Sequence, residues 1–390
     1  MPVSRRDFLS AVGAAGAVGA GSTLPWISAR GQESRLAVAL GHLTPTDALR
    51  TRAAADLIRL DSNENPNGPA PEAVDAIMQA FGAASRYPDA AEDALRAAIA
   101  DHHGVTVESV LLGCGSTEIL KIATETFTSP TRALLTVAPT FEVPSATAKR
   151  MGTPITTARV DGALRLDLDA MYAQCAGAGM VFICNPNNPT GTLHGIADLQ
   201  HFVTQVNRRS PDTYTLIDEA YFEYADDPAY GTAIPLAVGN TRVVVSRTFS
   251  KVHGMAGLRA GYAVAHPETI RRLARFRLES GINAFVGVAA LASLRLTQHL
   301  AHQKLLNAQA RTFAMNAMRA LGYTVVPSQT NFFMTDIKRD PKRFQTDMRA
   351  QGVAVGRSFP PLDTYTRISI GTMSEMRQAM AIAADVLKQG

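Results

Sequence analysis

The sequence predicts an α/β protein in which a mostly parallel sheet lies between helices and a smaller α+β domain follows. Three observations carry this expectation. First, the apolar, β-rich runs ALLTVAPTF, GMVFICNPNNPTG, TYTLIDEAYFEY, TRVVVSRTFSK and AGYAVAHP alternate with helical patterns, and strands that are apolar along their length belong in a sheet covered on both faces. Second, the character of the chain changes after a periodic stretch from about Leu296 to Leu321. Third, its 390 residues exceed what one core holds, since single cores stop growing near roughly 250–300 residues.

In chain order, residues 4–9 read SRRDFL, and the run from Phe8 to Ala29 carries no charge and is rich in Ala and Gly. This resembles a twin-arginine export signal with Arg5 and Arg6 as the pair, so residues 1–35 are expected to be a signal and tail, and the protein periplasmic, exported folded by that machinery. Pro25 and the low Leu/Ile/Val density argue against a membrane span, and no second apolar run of spanning length follows. Residues 82–285 are assigned to the large domain, with EDALRAAIADHHG as one of its helices because Leu95 and Ile99 repeat at helical spacing. Residues 36–81 and 286–390 are assigned to the small one. There a strand (TVVPSQTNFFMTDI), a helix (PKRFQTDMRAQG), a strand (TRISIG) and a last helix are expected, the last opened by Thr372 and Glu375 at capping-box spacing.

Composition narrows the function classes. With 46% hydrophobic and 18% charged residues the chain can bury a core and does not read as disordered. A formal charge of +4 without a basic stripe interleaved with aromatics excludes nucleic acid as the expected partner. Cys114, Cys175 and Cys184 lack metal-ligand spacing, and the adjacent His102 and His103 point about 100° apart on a helix. Those histidines read as surface polar residues, and no metal site is expected.

The segment VVVSRTFSKVHGMAGLRAGY is a buried strand ending in hydroxyls, a lysine, glycines and an arginine. Alone it could be a strand end with a solvated lysine. A nucleophilic lysine, however, needs its pKa brought well below the free value of about 10.4 by burial and nearby positive charge. Arg259 could supply that charge to Lys251, while Thr248 and Ser250 offer hydroxyls suited to a phosphate.

Over about residues 58–390, these residues resemble fold-type I pyridoxal-phosphate enzymes, above all the histidinol-phosphate aminotransferase family. The resemblance implies a large domain with a seven-stranded, mostly parallel sheet, pyridoxal 5′-phosphate as cofactor, and an amino acid and a 2-oxo acid as substrates. Lys251 would carry the cofactor as a Schiff base, with Thr248, Ser250 and Arg259 on its phosphate. Asp218 in LIDEAYFEY would pair with the pyridinium nitrogen and Tyr221 would donate to the phenolic oxygen, joined by Asn188 of NPNNPTG. Gly115, Ser116 and Thr117 of LLGCGSTEIL would form the phosphate cup, and Phe141 would stack on the ring. LDSNENPNGP is similar to the family's substrate-covering loop. Tyr87 of SRYPD would reach the cofactor phosphate of the neighbouring subunit in a homodimer, and Arg367 of TRISIGT would clamp the substrate α-carboxylate.

The chain departs from the family at GVAVGRSFPPL, where Gly356 occupies the usual place of a phosphate-binding arginine and Arg357 comes one residue later. On a strand that shift would turn the side chain to the opposite face unless the glycine makes a bulge. An unphosphorylated amino acid is therefore the expected substrate, with Arg357 kept as a substrate-binding candidate. A pyridoxal-phosphate lyase, such as a carbon–sulfur β-lyase, stays open as the alternative. A non-catalytic module of the same fold would be expected to lose Lys251 or gain a DNA-binding domain, and neither is seen.

Overall fold

The computed structural model describes residues 57–388, so the expected export signal lies outside the described residues. The chain opens with strand β1 (Ile58–Leu60) and builds its main sheet from β2 (Val110–Gly113), β3 (Leu134–Ala138), β4 (Ile155–Arg159), β5 (Met180–Cys184), β6 (Tyr214–Asp218), β7 (Val243–Thr248) and β8 (Gly261–Ala265). Their spatial order is β2-β8-β7-β6-β5-β3-β4. Only β8 runs antiparallel to its neighbours β2 and β7.

All five strand runs read from the sequence are present, and LLGCG supplies β2. The edge strand β4 escaped that reading because its sequence is ITTAR and only Ala158 is buried, so it has no apolar run to see. In the central strands neighbouring residues enter opposite cores. Val243 and Val245 pack with Leu95, Ile99 and Ile217 on one face, whereas Val244 packs with Ile119, Leu120 and Leu216 on the other. Such two-sided burial removes the polar alternation that marks a half-exposed strand.

The helix Thr297–Ala320 leads to the smaller α+β part, formed by β9 (Thr324–Val325), β10 (Phe332–Asp336), β11 (Val353–Val355) and β12 (Tyr365–Ser369) with the helices Pro341–Ala350 and Met373–Lys388. The expected single strand TVVPSQTNFFMTDI is two strands, β9 and β10, because Pro327 to Asn331 form a turn closed by the Ser328 and Thr330 hydroxyls. β11 reaches back to pair in parallel with β1, and Leu60 joins Phe333, Phe344, Ile368 and Met376 in one core. The capping box forms in both directions: Thr372 N–H donates to Glu375 at 2.7 Å and Glu375 N–H donates to Thr372 Oγ1 at 3.2 Å.

The helix Ala284–Leu294 crosses the boundary expected at 285, yet its Val286, Ala289 and Ala290 share the large sheet's core with Ala73 of the helix Pro71–Gln79. By packing, both helices belong with the large sheet. His103 is half-buried rather than a surface residue and shares a hydrogen bond of 2.9 Å with the Tyr262 hydroxyl. Burial and the nearby Arg247 hold its pKa down, to about 3, so it stays neutral. Among the described residues no group of His, Cys, Asp and Glu is placed to hold a metal.

Candidate active site

Parallel neighbours end at the same edge of a sheet, and this is where open α/β folds bind ligands. Cys184 at the end of β5 is in register with Asp218 at the end of β6, and Asp218 with Ser246 of β7. The loops leaving these ends, together with those after β2 and β3, wall a cavity of about 340 Å³. Ser116, Thr117, Phe141, Asn188, Asp218, Tyr221, Thr248, Ser250, Lys251, Arg259, Arg357 and Arg367 all line it, so the sequence-predicted residues converge. Gly115 sits just behind the wall, and Tyr87 is elsewhere, 84% exposed on the surface.

Lys251 Nζ donates to the backbone oxygen of Asn63 at 3.0 Å. Burial, followed by the field of Arg367, lowers its pKa to about 8, so the neutral amine needed for nucleophilic chemistry is accessible near neutral pH. Asp218 is 2% exposed and accepts from Ser246 Oγ at 3.0 Å. Burial raises its pKa to about 7, against the opposing pull of the Ser246 hydrogen bond and of Lys251. A cationic ring nitrogen against this carboxylate would supply the charge that burial removes, which fits a pyridinium ring.

The other end of the cavity fits a phosphate. The helix Ser116–Phe127 begins at Gly115 with no side chain capping it, leaving its first amides for a ligand. Arg259 spans this cup, with Nη2 at 3.4 Å from Thr117 Oγ1 and Nη1 at 3.3 Å from Ser250 Oγ. Gly115 is required there: its φ is +75°, and an added Cβ would lie 2.3 Å from Arg259 Nη2. Thr248 and Ser250 hydroxyls are joined at 3.0 Å beside the same guanidinium.

Arg367 comes from β12, across the cavity. Its Nη1 donates to Asn188 Oδ1 at 2.6 Å and its Nη2 to the Asp61 carbonyl at 2.9 Å, but its buried Nε has no partner. A buried guanidinium in the wall of a cavity suits a carboxylate ligand, which would supply the negative charge that burial leaves it without. Burial holds its pKa down, to about 10.

The strand argument about Arg357 does not hold. β11 ends at Val355, so Arg357 is a loop residue that reaches the cavity and pairs with Glu142 at 2.7 Å. Gly356 N–H donates to the Arg367 carbonyl at 2.9 Å, and a Cβ at Gly356 would approach that oxygen to 2.6 Å. An arginine therefore cannot replace Gly356 without displacing Arg367.

Sequence reasoning missed Asn63, Glu142 and the groups behind the site. Asn63 lies in the loop segment LDSNENPNGP, and nothing in its local sequence tells it from Asn65 or Asn67. Behind Asp218, Arg247 is 3% exposed and bridges Glu219 at 2.8 Å and Glu223 at 3.1 Å, tying β7 to the loop that carries Tyr221.

With the geometry in place, the comparisons with known proteins agree. The family description "Aminotransferase class I and II" matches residues 55–382, and the chain belongs to that family. A histidinol-phosphate aminotransferase from Moorella thermoacetica is 36% identical over 342 residues, covering 87% of each chain. An aromatic amino acid aminotransferase from Nocardia farcinica is 35% identical, covering 86% of this chain and 93% of its own. Among solved structures, the histidinol-phosphate aminotransferase from Sinorhizobium meliloti in complex with pyridoxal 5′-phosphate superposes with a TM-score of 0.80 at 26% identity, covering 93% of this chain and 99% of that one. The protein is an α/β enzyme of fold type I, a pyridoxal-phosphate-dependent aminotransferase, and the lyase alternative is not better supported.

Proposed function

We propose that this aminotransferase moves the amino group of an unphosphorylated amino acid to a 2-oxo acid, with Lys251 as its catalytic residue. The convergence of Lys251, Asp218, Tyr221, Asn188 and Arg367 on one cavity carries this reading. Bound pyridoxal 5′-phosphate supplies the electron sink that stabilises negative charge at the substrate Cα. Lys251 Nζ anchors the cofactor and moves the proton at Cα. Asp218 keeps the ring nitrogen protonated, Tyr221 and Asn188 bind the phenolic oxygen, and Phe141 covers the ring. The amides at Gly115, Ser116 and Thr117, with Thr248, Ser250 and Arg259, hold the phosphate. Arg367 binds the substrate α-carboxylate through its guanidinium and orients Cα toward Lys251.

The preference for an unphosphorylated side chain rests on Glu142. Its carboxylate already neutralises Arg357, so a phosphate there would meet a like charge at the cavity wall. Steady-state kinetics with histidinol phosphate beside free amino acids tests this. The expected result is a larger kcat/KM for a free amino acid; a value for histidinol phosphate above all others would refute the preference.

The enzyme acts as a homodimer in which Tyr87 reaches the partner's cofactor phosphate, supported by its exposure alongside the exposed apolar Met78 and Phe81. An active monomer in light scattering contradicts this. The enzyme is also exported folded to the periplasm, supported by Arg5 and Arg6 ahead of the uncharged run to Ala29.

A further inference from the structure

Asn63 is 2% exposed and sits in the left-handed region with φ +54°, a conformation that asparagine tolerates better than most residues. Its backbone and side chain make a closed set of hydrogen bonds around the cavity floor. The backbone oxygen accepts from Lys251 Nζ and from Asn331 Nδ2, both at 3.0 Å. The backbone N–H donates to Ser369 Oγ at 2.9 Å, and Asn63 Oδ1 lies 2.8 Å from that same hydroxyl. Asn63 Nδ2 lies 3.1 Å from the Tyr221 hydroxyl oxygen.

Donor and acceptor counting fixes the direction of every bond in this set. Ser369 Oγ already accepts from the Asn63 N–H, so its single proton goes to the other near oxygen, Asn63 Oδ1. That assigns the acceptor end of the amide to Ser369 and the donor end to Tyr221, which settles the orientation of the asparagine side chain. Tyr221 oxygen therefore accepts a hydrogen bond from Asn63. Its own proton must then point elsewhere, and the other side of Tyr221 is the cavity.

We infer that Asn63 is a positioning residue that orients the Tyr221 hydroxyl as a donor into the cavity, with Ser369 holding the amide in the orientation that does so. The inference rests on the proposed role of Tyr221 toward the cofactor's phenolic oxygen and deepens it. A donor aimed at that oxygen stabilises its deprotonated form, so the network sets the pH at which the bound cofactor changes its visible absorbance. Without Asn63, Tyr221 can rotate its proton away and the stabilisation weakens.

The test is a spectroscopic pH titration of the holoenzyme in four forms: wild type, Asn63→Gly, Tyr221→Phe and the double variant. Glycine removes the amide, adopts the positive φ freely and retains the backbone groups that bind Lys251 and Ser369. The expected result is an upward shift of the midpoint by roughly one unit in Tyr221→Phe, the size of one hydrogen bond to a charged group. A smaller upward shift is expected in Asn63→Gly, and no further shift when glycine is added to Tyr221→Phe. Ser369→Ala, which frees the amide without touching Asn63, should move the midpoint in the same direction. An unchanged midpoint in Tyr221→Phe overturns the reading of Tyr221 itself. A shift in Tyr221→Phe with none in Asn63→Gly, or an equal glycine shift in both backgrounds, overturns the role of Asn63.

Discussion

Replacing Gly115 by alanine separates what the backbone needs from what the cofactor needs. Its φ of +75° and ψ of 163° lie in a region that is essentially reserved for glycine, and forcing a side chain into it costs about 1–3 kcal/mol. The new Cβ would also lie 2.3 Å from Arg259 Nη2 and 2.9 Å from its Cζ. Those atoms end a flexible side chain, so the guanidinium yields rather than the sheet. Cofactor-free enzyme should therefore lose only the backbone amount, read from chemical unfolding. The loaded enzyme loses in addition a charge-assisted hydrogen bond on the phosphate, about 1.5–3 kcal/mol, which is roughly a 10- to 150-fold weaker Kd. Equilibrium dialysis of pyridoxal 5′-phosphate against the cofactor-free protein measures it. Arg259→Ala should weaken binding similarly, and the double variant should be little worse than either single one. A Kd for Gly115→Ala within twofold of wild type, while Arg259→Ala binds weakly, would refute the placement of Arg259 over the cup.

Other perturbations reach different parts of the account. Arg247→Ala strands Glu219 and Glu223 in the interior and should destabilise the fold by about 3–5 kcal/mol in chemical unfolding; a loss under about 1 kcal/mol contradicts the buried pair. Lys251 titrates near 8 when folded and 10.5 when free, so between these values the unfolded chain binds the extra proton and the stability of the cofactor-free enzyme rises with pH. Relative to Lys251→Met, that rise should approach about 3 kcal/mol, and parallel pH–stability curves for the two proteins would count against a buried, depressed lysine. Replacing Arg5 and Arg6 by lysine should leave the enzyme in the cytoplasmic fraction; an undiminished periplasmic amount removes the twin-arginine reading.

The parts of the molecule that the sequence discloses are those whose physics is local. An apolar run such as VVVSRT reads as a buried strand because all six of its residues are buried, and Thr372 with Glu375 reads as a helix start because a capping box needs only four consecutive residues. Lys251, Asp218 and Asn188 are legible through motifs at strand ends. β4 is not, because an edge strand with one buried residue is polar by composition. The position of Arg357 is not legible either, because β11 stops at Val355 and nothing in GVAVGRS marks that end. Asn63 and Glu142 act through partners far away in the chain, Ser369 and Tyr221 for one and Arg357 for the other. Only the folded arrangement shows those pairs.

The central claim is that Lys251 works at a cofactor-bearing site to transfer an amino group, and a single-turnover half-reaction tests it most directly. Purified holoenzyme is mixed with excess amino acid and no acceptor, while cofactor absorbance, 2-oxo acid and ammonia are followed together. The account predicts one 2-oxo acid per site with loss of the visible band and no ammonia, and neither product from Lys251→Ala on the same timescale. Wild-type turnover in Lys251→Ala, or continuous ammonia release from the native enzyme, would contradict it.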